Sequence, residues 1–413
     1  MEKSISYYSP INASLYKELN ISAWNSCIDN YEKENYKQSF IDFLNYLDPN
    51  IYLQYANPEK TTFTIPHGSS IIILKIVDDH LFIEAPFIKL PDSKFIPILR
   101  KSSEINFSYM TLPNIKLKDN EMKFVYDMPL ELCNPWKLYD ILQNVTFNAD
   151  KYDDEFVTKF NAERMVEPML SNYDEAKLAQ YLTVCKEIAA TRTENIQHFE
   201  SKRNLGNAVD SVFIGISQIR LYCNPTGILL NKMNDTIEIL YDRNVNMIDK
   251  LKAGKVFFKF VEEINITDFQ DYCNITFNLI SGKRTTNRKQ LEGWIENYLE
   301  TSEEYFSTED FMQSAFNSYY AIYYVLSYFN IESKDEKIML YGLQEASGKD
   351  WEEAAEILLD ILDFFYQNTG EEFVFSKQET QTVKEDAMQN VQDYMKQYTS
   401  MLSGFLSGFG GNK

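Results

Sequence analysis

Residues 63 to 87 read FTIPHGSSIIILKIVDDHLFIEAPF, and their periodicity constrains the chain more than any other feature. Residues 61 to 65 (TTFTI) alternate, 71 to 77 (IIILKIV) are β-branched and nearly all apolar, and 81 to 88 (LFIEAPFI) place Leu81, Ile83, Ala85 and Phe87 on one side. A period of two marks a strand, because successive side chains leave the backbone on opposite faces. His67-Gly68-Ser69 and Asp78-Asp79-His80 supply turn chemistry between the runs, so three antiparallel strands in a meander follow. Each run is far too short to cross a membrane. Residues 71 to 77 are apolar on both faces, which predicts that both are covered.

The flanks complete a layer. Residues 91 to 107 have helical spacing (Phe95, Ile98, Leu99, Ile105). Two further strands follow at 112–118 (LPNIKLK) and 121–128 (EMKFVYDM), joined by Asp119-Asn120. Residues 129 to 147 return to a helix with an inner stripe of Trp136, Tyr139, Ile141, Leu142 and Val145. The predicted class is α+β: an antiparallel five-stranded sheet covered by helices, occupying 51–168. Upstream, 1–50 reads as a helical hairpin packed on that domain, with Asp48-Pro49 as its stop. Within it, W24-x6-Y31 followed by NYKQSFIDFLNYLDP resembles one tetratricopeptide repeat, and a lone repeat needs neighbours to bury its face.

The order helix, three strands, helix, two strands, helix resembles the type III secretion chaperone-like fold, and in particular the YbjN family of bacterial proteins. The residues that carry the likeness are the quoted stretch, PDSKFIPILRKSSEINF, the hairpin IKLKDNEMKFVYDMPLE, and YDDEF at 152 to 156, roughly residues 35 to 165. The resemblance implies a cytoplasmic, often dimeric protein that holds an unstructured client segment. A homodimer through the α+β domain and a link to a secretion apparatus are among its implications. Physically, an exposed strand edge can take in an extended peptide whose alternate side chains enter pockets. Phe63, Ile65, Leu81, Ile83 and Phe87 are the candidate lining for such a client; the same alternation also describes an ordinary core.

The rest of the chain is helical. Residues 169–284 form a helical middle region, with a long helix after an Asn or Asp cap near 172, breaks near Asn224-Pro225 and Asp242, and a short strand pair expected around 257–264 and 272–282. Residues 285–370 carry 5 basic against 17 acidic residues and read as an acidic helical bundle. Its helices are expected near 287–301, 308–330, 334–347 and 350–367, around the central run FNSYYAIYYVLSYF. The tail, 371–413, is either a mobile end or a partner-docking segment. Its candidate contacts are Met388, Val391 and Met395 at helical spacing, and Phe405 and Phe409 in the Gly-rich end.

Composition narrows the function. With a formal charge of −21 over 413 residues, the chain repels phosphate backbones, so no nucleic-acid partner is expected. Five scattered cysteines with no CxxC fit reduced thiols, and neither a secretory leader nor a membrane span is read, so the expected location is cytoplasmic. The three histidines lack metal-ligand spacing, and no phosphate-cradling or serine-elbow motif occurs, so no metal, cofactor or catalytic residue is assigned. The leading reading is a non-enzymatic chaperone or adaptor that binds a client protein. A structural or regulatory subunit of a larger assembly is the alternative, and an enzyme whose site is invisible in sequence is a further one.

Overall fold

The computed structural model describes residues 3–11, 20–93, 95–168, 171–286 and 288–367. Two helices, α1 (Ile21–Glu32) and α2 (Tyr36–Leu47), form the expected hairpin, and a short α3 (Ile51–Gln54) follows. Asn20 caps α1 by accepting from the Ala23 N–H at 3.0 Å.

The sheet follows as predicted, with β1 (Thr62–His67), β2 (Ser70–Val77), β3 (His80–Lys89), then α4 (Ile96–Ser108), β4 (Asn114–Lys118) and β5 (Glu121–Pro129). Strand order is β1-β2-β3-β5-β4, and every neighbouring pair is antiparallel. Asp78 and Asp79 (φ 48° and 57°) and Asp119 and Asn120 (φ 50° and 63°) make the two tight turns in the left-handed region, which Asp and Asn tolerate and which matches strand twist. Next comes α5 (Pro135–Phe160), started by the Asn134 side chain with Pro135 in the first turn and ended by Asn161 at φ 54°. A two-residue β6 (Glu163–Arg164) extends along β3. The chain is thus α+β, as its periodicity predicts.

One face of this sheet is sealed by α2 and α5. Phe40 of α2 meets Phe63 at 5.9 Å between ring centroids, and Phe156 of α5 meets Phe87 at 4.9 Å. The other face is not covered as expected: Ile73 is half-buried, and Lys75, Val77 and Phe82 are exposed. The β-branched run 71–77 therefore reflects strand propensity more than two-sided burial. On α5 the inner stripe is Leu138, Ile141, Leu142, Val145, Ala149 and Phe156, while Trp136 is 51% exposed and lies off it.

Beyond β7 (Ser171–Asn172) the elements are α6 (Glu175–Ser201), α7 (Leu205–Cys223), α8 (Gly227–Tyr241), α9 (Met247–Glu263), α10 (Ile266–Tyr272), β8 (Asn274–Ile275) and β9 (Arg284–Thr285). Then come α11 (Arg288–Ser307), α12 (Phe311–Tyr328), β10 (Phe329–Asn330), α13 (Ser333–Glu345) and α14 (Trp351–Gln367). Asp174, Asn204, Asn246, Asn265 and Asp310 each cap a helix through the side chain. The expected strand pair is corrected: 257–263 lies inside α9, and only Asn274–Ile275 is extended, against β7. The boundary at 284–285 is not a boundary between cores either. One continuous apolar cluster runs from Leu178 to Phe365, because α12 is buried on several sides and packs on α7 as well as on α11, α13 and α14. Gly254 lets α9 approach α7, since a Cβ there would lie 2.4 Å from Val212.

Two crossings stitch the halves together. Residues 3–11 leave the hairpin they precede and lie on the helical half, where Ser4 N–H donates to Lys349 O and Ile11 N–H to Tyr222 O, both at 2.9 Å. In return, Phe277, Leu279 and Ile280 pack into the sheet's core. Among the described residues no helix is long and apolar enough to cross a membrane.

Candidate functional site

The second crossing builds a cleft of about 650 Å³ between the halves. Its walls are the inner turns of α5 (Tyr139, Gln143, Asn144, Phe147, Asn148, Asp150), the segment 278–283, the end of α7 (Arg220, Asn224), Asn234 of α8, and residues 326–336. Apolar and aromatic side chains make the larger part of the lining, and amide side chains supply most of its neutral polar groups.

One end is held by the β1–β2 turn. Asp150 accepts from Ser69 N–H at 2.6 Å and from Ser69 Oγ–H at 2.8 Å. Only glycine fits at Gly68, where φ is +55° and a Cβ would lie 2.0 Å from Asp150 Oδ1. Burial raises the Asp150 pKa, and the two Ser69 hydrogen bonds act against it. Beside the turn His67 is 1% exposed and stands edge-on to Phe147, its Nδ1 accepting from Leu279 N–H at 3.1 Å. Gln143 Nε2–H and Tyr139 O–H donate to Ser281 O at 3.0 and 3.4 Å, and Asn330 Nδ2–H donates to Lys283 O at 3.2 Å.

The other end is charged. Arg220 donates from Nη2 to Asn234 Oδ1, and among the described residues no carboxylate lies within ion-pair distance of it. Its Nε is buried with no acceptor, and burial lowers the guanidinium pKa. Burial also lowers Lys283, with Glu336 opposing that shift and Arg220 adding to it. Glu336 is raised, first by burial, against the pull of Lys283; its Oε1 is buried without a donor, as is Asn144 Oδ1. Among the described residues, no group of three or more His, Cys, Asp or Glu side chains can hold a metal ion.

The residues singled out from sequence lie elsewhere. Phe63, Ile65, Leu81, Ile83 and Phe87 are all in the core under α2 and α5, so they line no groove open to a client. Met388, Val391, Met395, Phe405 and Phe409 fall outside the described residues. The sheet's two edges are also occupied or guarded. On β1, Thr64 N–H donates to Tyr55 O at 2.9 Å and Thr62 O accepts from Asn57 N–H at 2.8 Å. On β4, the Asn106 side chain takes both backbone groups of Ile115, at 2.7 and 3.1 Å, and the exposed Lys116 and Lys118 discourage pairing beyond it.

An exposed apolar surface does exist, on α4, and the helical stripe read from sequence misses it. Ile98, Ser102 and Ile105 face the sheet, while Phe107 is 92% exposed and Ile96 is 58% exposed. Eleven residues apart, these two share one outward stripe, roughly 16 Å from end to end. Phe95, expected on the inner side, is exposed too, as are Leu112 and Leu117 next to the helix in sequence or on the adjoining strand β4. The signal is visible in IPILRKSSEINFS once the inner face is assigned, because its first and eleventh-following residues then point away.

No protein-family model matches the chain, and no curated protein matches it.

Proposed function

We propose that this chain is a non-enzymatic, cytoplasmic protein-binding protein, a chaperone or adaptor that holds a segment of another protein on the outer surface of α4 and the neighbouring β4. The observation that carries the reading is Phe107 together with Ile96 on one solvent-facing stripe. An exposed Phe on a helix that already buries its opposite face gains nothing for folding and is free to contact a partner. Between Ile96 and Phe107 the same helix exposes Arg100 and Glu104, so the stripe is apolar at its ends and mixed in charge between them. The fitting partner is a segment with apolar side chains spaced to reach both Ile96 and Phe107. The resemblance of its element order to the type III secretion chaperone-like fold favours the same reading.

The test is affinity purification of the full chain and of the Ile96→Asp, Phe107→Asp double variant, with light scattering for mass. Equal melting temperatures and a partner protein held by the wild type alone are expected. A partner recovered equally by both variants overturns the assignment of this surface. A wild-type dimer that becomes monomeric in the variant gives the surface to self-association, and a fixed-stoichiometry complex in place of an interchangeable client gives the subunit reading.

A further inference from the structure

We infer that the cleft between the two halves is a binding site for a small hydroxylated oxyanion, its carboxylate or phosphate group seated at Arg220 and its hydroxyls on the surrounding amides. The inference stands apart from the α4 surface and shares no residue with it.

Arg220 is the first ground. A guanidinium offers five N–H donors and no acceptor. Here one donor is used by Asn234, Nε–H is buried without an acceptor, and no carboxylate among the described residues is in ion-pair range. The side chain is half-buried at the cleft wall, and an oxyanion at this position supplies the counter-charge and acceptors that the protein does not.

The contrast with Arg192 sharpens the argument. Arg192 is fully buried and, among the described residues, pairs with no carboxylate, but it sits in the helical core with Tyr319 and Tyr323 beside it and does not line the cleft. No molecule can reach it. Arg220 borders an open volume of about 650 Å³, within the range of small-molecule sites.

The remaining unpartnered atoms describe the rest of the ligand. Asn144 and Glu336 line the same cleft, and Asn144 Oδ1 and Glu336 Oε1 are buried and lack donors. Both are acceptors, so the ligand must bring hydrogen-bond donors to them, which hydroxyl groups do. A fully apolar ligand would leave all three atoms unsatisfied.

The experiment is calorimetric titration of the full chain with ribose 5-phosphate, D-gluconate, inorganic phosphate and uncharged ribose, each at matched ionic strength, repeated on Arg220→Met and on Asn144→Leu. Binding of ribose 5-phosphate or gluconate tighter than about 1 mM, with ribose much weaker, is expected. Which of the two binds distinguishes a phosphate from a carboxylate. Arg220→Met should weaken that binding roughly 10- to 100-fold, the effect of losing a charged hydrogen bond. Asn144→Leu, which leaves Arg220 in place, should weaken the hydroxylated anions and leave inorganic phosphate unchanged. No anion bound at millimolar concentration, or binding unaltered in both variants, overturns the proposal and leaves the cleft a solvated junction. If Arg220→Met fails to fold, Asn144→Leu alone decides between the two outcomes.

Discussion

His67 and Leu279 lie 212 positions apart, yet the imidazole Nδ1 of the first accepts the backbone N–H of the second at 3.1 Å inside the protein. Next to this bond, Gly68 N–H donates to Phe277 O at 2.9 Å. The two hydrogen bonds fix the segment that leaves the helical half and enters the sheet's core, so they decide how the halves are joined and whether the cleft exists.

Replacing His67 by Leu removes the acceptor and leaves the Leu279 N–H buried without a partner, at a cost of roughly 1–3 kcal/mol. His67→Asn places its Oδ1 near the position of Nδ1 and should restore part of the loss. Urea denaturation of the three proteins checks this. Equal stability of His67→Leu and wild type, or no difference between the Leu and Asn variants, contradicts an acceptor role for the ring.

All five thiols are buried and none is in a disulfide. Burial pushes Cys27 up to about 11 against a lowering hydrogen bond from Ser39, and pushes Cys133 up to about 12. Cys223 is raised first by its hydrogen bond with Cys185 and then by burial; Cys273 is raised first by Cys223 and then by burial. Since the thiolate is the reactive form, a mildly alkaline solution should leave the native protein unlabelled by a chromogenic disulfide reagent, and all five thiols should react after unfolding. Rapid labelling of even one native thiol would show a cysteine in a different setting.

Much of this fold is legible in the sequence because the signals are local. The turns at Asp78-Asp79 and Asp119-Asn120 fix the hairpins by side-chain chemistry, and the breaks at Asn224-Pro225 and Asp242 fall where α7 and α8 end. Local signals fail where two structures share a pattern. FFKFVEEI looks like a strand by apolar run length, but Asn246 caps a helix eleven residues earlier, and Leu251, Gly254, Phe258 and Val261 fall on one buried helical face. The charge change at 285 misleads for another reason: acidic side chains decorate surfaces, whereas core membership depends on α12, which packs on both sides of that position. The cleft is less legible still. Lys283 reaches Arg220 and Glu336 through the crossing of residues 277–283, while those two meet through the packing of the helical half, and no spacing along the chain encodes either. Phe63 and Phe87 illustrate the converse, since a period of two names a face without saying whether a helix covers it.

The last prediction concerns pH. Asp210, near Tyr298 and Tyr320, is raised from 3.8 to about 7 by burial. Asp153 is also raised to about 7, first by burial and then by Asp154 and Asp150, with Arg164 acting against them. Between the unfolded and folded pKa values these carboxyls hold more protons in the folded chain than in the unfolded one. Their contribution therefore favours folding at acidic pH, declines as pH rises from about 4 to about 7, and is level above that. Asp210→Asn keeps a neutral, hydrogen-bonding side chain at every pH and removes one of the two titrations. Its unfolding free energy should fall less than that of wild type between about pH 5 and about pH 8, and at the upper end the variant should be the more stable protein. Urea denaturation at four pH values gives both slopes. Parallel curves for the two proteins would mean that Asp210 ionises as freely in the folded chain as in water, and that its place beside α11 and α12 is open to solvent.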